Sequence, residues 1–423
     1  MSSNNQWQVV PADAAVLREL ARQKLEAAHH PLNEERRRLW YALDAMRAER
    51  PMVLAEAWAA FELLPEFQPR CTAPWAQDLE RQLRFELYQF ERLQDDHVVE
   101  PRVTYNWHVQ IDGYGVEVKQ HYADRVSGNI SSRQWDPPLK NIDADFQKLR
   151  PRTPSVDRDA TKAHGDALRE VFDGLLRVEV RGGFWWTSGL TQTLIDLVGL
   201  ENMMVYMCTN PQGLHRLMKF LQEDFIACAE WAEREGLLTL NNENDYIGSS
   251  GSIGYTHALP QPDHGLGSHA RLKDLWVLSE SQETVGCSPA QCEEFVLSYY
   301  RPICARFGRT YYGCCEPVHD RWDSIKTLPN LKRVSISPWC DQRAMADALG
   351  DNYVFSRKPN PALVSTPDFD EDLIRNDLRE TLTAARGCNI EIIMKDVHTL
   401  ANHPNRLPRW VQLARETIDR YWA

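Results

Sequence analysis

From about residue 164 the chain alternates short apolar runs with longer amphipathic stretches, and nothing else in the sequence limits the possible folds so tightly. "LLRVEVRGGFWW", "LLTLNNEND", "KDLWVLSESQE", "RTYYGCCE", "LKRVSISPW", "NYVFSRKP" and "CNIEIIMKD" have the length and the β-branched or aromatic content of strands. Helical stretches stand between them, among them "SPAQCEEFVLSYYRPICARFG", entered through Ser-Pro, and "DEDLIRNDLRETLTAARG". Strands and helices alternating at this spacing imply a parallel sheet. Their number predicts closure into a (β/α)8 TIM barrel, with 164–423 as its main part.

Residues 1–163 have a different texture. "PADAAVLRELARQKLEAAHH", "LNEERRRLWYALDAMRAER" and "APWAQDLERQLRFELYQFERLQDDH" carry apolar residues at helical spacing. "PMVLAEAW" reads as a buried strand, the first of the barrel. "VVEPRVTYNWHVQIDGYGVEVKQHY" alternates like the strands of a small sheet or a hairpin, with "DGYG" as a turn signal, and "QWDPPLKNIDADFQKLRPRTPSVDRDA" reads as a surface connection. The expectation is one structural domain, an α/β barrel with an N-terminal helical and β-hairpin extension.

A hydrophobic content of 43% and fourteen tryptophans supply the surface for a core of that size. A net charge of −12 lacks the basic stripe of a nucleic-acid binder. The apolar runs are too short for a membrane span, and no basic segment leads into an apolar core at the N-terminus. Ten cysteines in a chain this long do not make a small secreted disulfide framework. A cytoplasmic protein with free thiols is expected. Monomer and homodimer both stay open.

In such a barrel, chemistry gathers where strands run out into the loops after them. The run-outs here offer Arg181 with Phe184, Trp185 and Trp186, then Asn241, Glu243 and Asp245, then Glu280 and Glu283. After these come Cys314, Cys315, Glu316 and His319, then Trp339, then Arg357 and Lys358, and last Lys395, Asp396 and His398. Glu280 and Glu283 suit a general acid or base, or a solvated loop. Glu243 follows a strand directly. His398, oriented by Asp396, is a further candidate for catalysis. Phe184, Trp185, Trp186 and Trp339 suit stacking on a planar ligand, Trp107 and His108 a lid or aromatic core, and Arg357 a carboxylate or phosphate. Cys314, His398 and one carboxylate among Glu280, Glu283 and Glu316 are donors that suit a catalytic zinc. No CxxC pair is present, so a metal site would have to be assembled from separate strands; the alternative is that Cys314 and Cys315 are small half-buried residues.

Several stretches resemble, in order, segments of the uroporphyrinogen decarboxylase-like superfamily. They are "TLIDLVGLENMMVYMCTNPQGLHRLMKFLQEDF", "ETVGCSPAQCEEFVLSYYRPICARFG", "YYGCCEP" and "MKDVHTLANHPNRLPRWVQLARETI". The resemblance sets Cys314 at the cysteine of the methyltransferase members and Tyr312 where they carry histidine. His398 falls in the region of the decarboxylase histidine, or of the last zinc cysteine of thiol methyltransferases. The arginine-rich carboxylate-binding segment of the decarboxylase is replaced by "PMVLAEAWAAFELLPEF", with Glu56 and Glu62. Like charges would repel a polycarboxylate there. The resemblance therefore implies the branch that demethylates small methylated compounds, often aryl methyl ethers, and passes the methyl to the corrinoid of a partner protein; either a bound zinc or an acid such as Glu280 or Glu283 would assist the leaving oxygen. A lyase acting on a small acid, with His398 and Arg357 in its pocket, and a non-catalytic ligand-binding barrel remain as alternatives.

Overall fold

The structure is a computed structural model that describes residues 6–56, 64, 67–122, 133–181 and 187–422. Its strands are β1 Met52–Ala55, β2 Arg102–Tyr105, β3 His108–Ile111, β4 Lys119–Tyr122, β5 Arg133–Asp136, β6 Pro154–Asp157 and β7 Arg177–Val180. They continue with β8 Thr187–Ser188, β9 Trp276–Ser279, β10 Arg309–Tyr312, β11 Leu331–Ile336, β12 Val354–Arg357 and β13 Asn389–Met394. Seven of them form one sheet in the order β1-β13-β12-β11-β10-β9-β8, and every pairing in it is parallel. Helices connect these strands, as the alternation predicts for an α/β fold.

Both faces of the sheet are buried, as expected of parallel strands. Alternate residues point to opposite sides. Val53, Val277, Tyr312, Val334, Phe355, Ile390 and Ile392 pack into the large apolar cluster shared with the surrounding helices. Their neighbours Leu54, Val354 and Ile393, with Trp276, Leu278 and Tyr311, face the other way, against Ile247, Ile253, Tyr255 and Leu259. Arg333 donates to Ser252 Oγ at 2.6 Å and to the Ile253 carbonyl at 2.8 Å, and lies 3.5 Å from Glu391.

The strand ladder does not close into a ring among the described residues. β1 and β8 are its two ends, and β2 and β7 form a separate parallel pair. Asp96 bridges part of the gap: its amide donates to the Val53 carbonyl at 2.8 Å, and its carboxylate accepts from the Val53 amide at 2.7 Å.

Two local expectations are corrected. "LLTLNNEND" forms no strand. The Asn241 side chain takes the place of a ladder, accepting from the Trp276 amide at 2.8 Å and donating to the Trp276 carbonyl at 3.2 Å. The hairpin expected at "DGYG" is absent too: β3 pairs antiparallel with β6, and β4 with β5. Asp112 and Tyr114 instead hold the later segment, through the Thr153 amide and, at 2.9 Å, the Arg150 amide. Among the described residues no helix is long and apolar enough to cross a membrane.

Candidate active site

The inward residues at the C-terminal ends of the strands are Glu56 after β1, Glu280 after β9, Lys358 after β12 and Lys395 after β13. Gly313, at φ +98°, turns the chain after β10 in a conformation that favours glycine, bringing Cys314 and Cys315 to the same edge.

Glu280 is the most perturbed acid there. It is 4% exposed. Burial, with Glu283, Glu316 and Cys314 around it, pushes its carboxyl up to about 9, so at neutral pH it carries a proton. Its Oε2 accepts from the Gln282 amide at 3.2 Å. Oε1 lies 2.6 Å from where a Cβ on Gly189 would stand, so only glycine there leaves room for the carboxyl. Glu283 is also raised by burial, and accepts from Thr191 Oγ1 at 2.6 Å.

Glu316 has a different task. It is fully buried, and its two oxygens accept from the Ser281 amide at 2.8 Å and the Cys314 amide at 2.9 Å. The carboxylate thereby pins the loop after β9 to the loop after β10.

The thiols sit between the acids and the lysines. Cys314 Sγ lies 3.6 Å from Cys315 Sγ, and Cys315 donates to Asp396 Oδ2 at 3.5 Å. Its contact with Cys315, and then burial, push the Cys314 thiol up, so it is protonated at neutral pH. Lys395 donates to the Ser249 carbonyl at 2.6 Å; burial opposes its charge, but Cys314, Asp396 and Glu56 raise it above the ordinary lysine value. Lys358 donates to Tyr311 Oη at 2.9 Å and Ser356 Oγ at 2.7 Å, and burial brings it down to about 8.

The donors proposed for zinc do not come together. Glu316 is committed to two amides, and His398 is exposed and makes no hydrogen bond or ion pair among the described residues. No group of three His, Cys, Asp or Glu suited to a metal ion occurs among the described residues. Cys314, Glu316 and His398 thus do not fit the ion.

Other candidates also take separate places. Arg357 points away from the edge, because it follows the outward phase of β12: its guanidinium bonds Thr381 at 3.2 Å, Asp377 at 3.0 Å and three backbone carbonyls. Glu243 belongs to an ion-pair group around Arg102, 3.8 Å away. Trp339, 66% exposed, lines a groove of about 450 Å³ with Glu283 and Cys315. Trp107 lines a cavity of about 480 Å³ with Val109, Tyr114, Leu190 and Phe225, reaching Gly189 behind Glu280. His108 lies in a third cavity, beyond Trp107. Phe184, Trp185 and Trp186 lie outside the described residues.

One constellation went unread in the sequence. His97 Nδ1 meets Asp95 Oδ2 at 2.7 Å, and its Nε2 meets the Tyr246 hydroxyl at 2.9 Å. "DDH" was a local signal for the first contact; Tyr246 stands 149 positions away from His97 and had none.

The chain is similar to a solved structure named "methyltransferase from Methanosarcina mazei", with TM-score 0.49 and 14% identity, over 92% of this chain and 98% of that one. No protein-family model and no curated protein matches the sequence.

Proposed function

We propose that this chain is an enzyme that moves a methyl group from a small methylated substrate, an aryl methyl ether, to the corrinoid of a partner protein. The observation that carries the reading is a protonated carboxyl, Glu280, packed against Gly189, which in turn lines a cavity holding Trp107, Tyr114 and Phe225. An unactivated ether oxygen leaves poorly as an anion, and a positioned acid removes that obstacle, typically contributing about 10²–10⁴ in rate. A reduced corrinoid on the partner would supply the electron pair that takes the methyl carbon. The C–O bond breaks, its electrons stay on oxygen, and that oxygen receives the proton of Glu280. Thr191 holds Glu283 beside it; a second carboxyl there keeps the first neutral through like-charge repulsion.

In this proposal β2 and β7 stand in the gap between β8 and β1, so that β1, β2, β7 with β8, and β9 to β13 make a ring of eight positions. The Asp96 contacts with β1 and the Arg181 amide bond to the Tyr105 carbonyl at 2.9 Å support it. The rival lyase reading relied on Arg357 and His398; Arg357 is held on the outward side by Asp377, and His398 is exposed.

The experiment is a panel of methoxylated aromatics mixed with the protein and a reduced corrinoid protein, methylation being followed by the change in corrinoid absorbance. Transfer from at least one substrate, lost in Glu280→Gln, is expected. Folded wild-type protein that methylates from none of them overturns the proposal.

A further inference from the structure

Beyond Trp107, away from Glu280, a cavity of about 900 Å³ lies between the N-terminal helices and β2–β3. Its walls include Trp7, Trp75, Tyr105, Trp107, His108 and His164. The rings are already arranged as a stack. Trp7 lies over His164 at 3.7 Å between centroids with 10° between planes, and Trp75 meets Trp7 edge-on at 6.3 Å. His108 Nε2 lies 3.3 Å from His164 Nδ1, which fixes both imidazoles.

Two features describe what such a cavity takes. The indole N–H groups of Trp7, Trp75 and Trp107 are buried and have no hydrogen-bond partner among the described residues. Buried donors are nearly always satisfied, and leaving one unmade costs about 1–3 kcal/mol, so three around one cavity point to acceptors that arrive with a ligand. The wall also has no lysine or arginine among the described residues, and one carboxylate, Asp78. Burial and His108 bring His164 down to about 4, so it too is uncharged at neutral pH. An anion would find no counter-charge in the wall itself.

We propose that this cavity is a second binding site, for an uncharged planar aromatic molecule with ether or carbonyl oxygens on its edge. The ring enters the aromatic stack, and the edge oxygens accept from the indole N–H groups after small rotations of those side chains. Trp107 and Asn106 are common to this cavity and to the one reaching Gly189, so the two sites share a wall. The inference needs no methyl transfer, and its test reads binding alone.

The test is calorimetric titration of the full chain with 1,2-dimethoxybenzene, in wild type and in Phe225→Trp, which fills the cavity reaching Gly189. A binding step that survives Phe225→Trp, and that Trp7→Leu or Trp75→Leu in that background weakens about tenfold, is the expected result. Benzoate and 1,2-dimethoxycyclohexane, one charged and the other not planar, should each bind at least about tenfold more weakly. Loss of all binding in Phe225→Trp, unchanged affinity in the folded tryptophan variants, or equal binding of benzoate overturns the proposal. If Trp75→Leu does not fold, Trp7→Leu decides alone, since Trp7 precedes the first helix.

Discussion

Glu280 shows how a single side chain acquires a property its composition does not give it. An ordinary glutamate is ionised at neutral pH; this one is buried beside two other carboxyls and keeps its proton up to about 9. The folded state therefore binds a proton that the unfolded chain releases near its ordinary value. Stability should fall as pH rises from about 5 to about 9, and thermal melts across that range should show the fall flattened in Glu280→Gln. The same substitution should lower methyl transfer about 10²–10⁴-fold without loss of folding. Gly189→Ala offers a gentler probe: the new Cβ meets Oε1 at 2.6 Å and pushes the carboxyl aside. Its transfer rate should drop, while a melt recorded at pH below the ordinary glutamate value stays close to wild type.

At the scale of elements, the loops after the strands are held by particular bonds. Glu316 joins the loop after β9 to the loop after β10, so Glu316→Ala leaves the Ser281 and Cys314 amides unpaired in a buried place. A loss of about 3 kcal/mol in a denaturant titration is expected, with little loss for an exposed site such as His398→Ala. This element scale is also where the sequence was most legible. β1, β9, β10, β11, β12 and β13 lie within the runs read as strands, because each is a short run rich in β-branched, aromatic or other apolar residues. "LLTLNNEND" was misread because Asn241 satisfies the Trp276 backbone with a side chain, which no periodicity records. Cys314 and Glu280 could be placed at strand ends from the residues alone. Whether Arg357 or Lys358 faces inward depends on the phase of β12 by one residue, and that phase is set by register, not composition. The Asp95–His97–Tyr246 contact is invisible in the sequence because long-range proximity is a product of the fold.

Across the whole molecule, Asp96 fastens the first strand to the segment that leads into β2. Burial opposes its charge, but Arg50 and Arg415 outweigh that and hold the carboxyl down to about 2. A depressed carboxyl contributes stability above its unfolded value of 3.8 that disappears as pH falls toward about 2. Asp96→Asn should cost about 2–3 kcal/mol at neutral pH, since it removes the charged partner of the half-buried Arg50 and Arg415, and should make unfolding less sensitive to acid. Everything proposed for the site also depends on the edge keeping Glu280 neutral. Infrared difference spectra, titrating the protonated carboxyl of wild type against Glu280→Gln, test that most directly. A carboxyl band that persists through neutral pH, titrates near pH 9 and is missing from the variant is the result predicted. A band that vanishes in the ordinary glutamate range, with wild type and variant alike above it, would contradict the account.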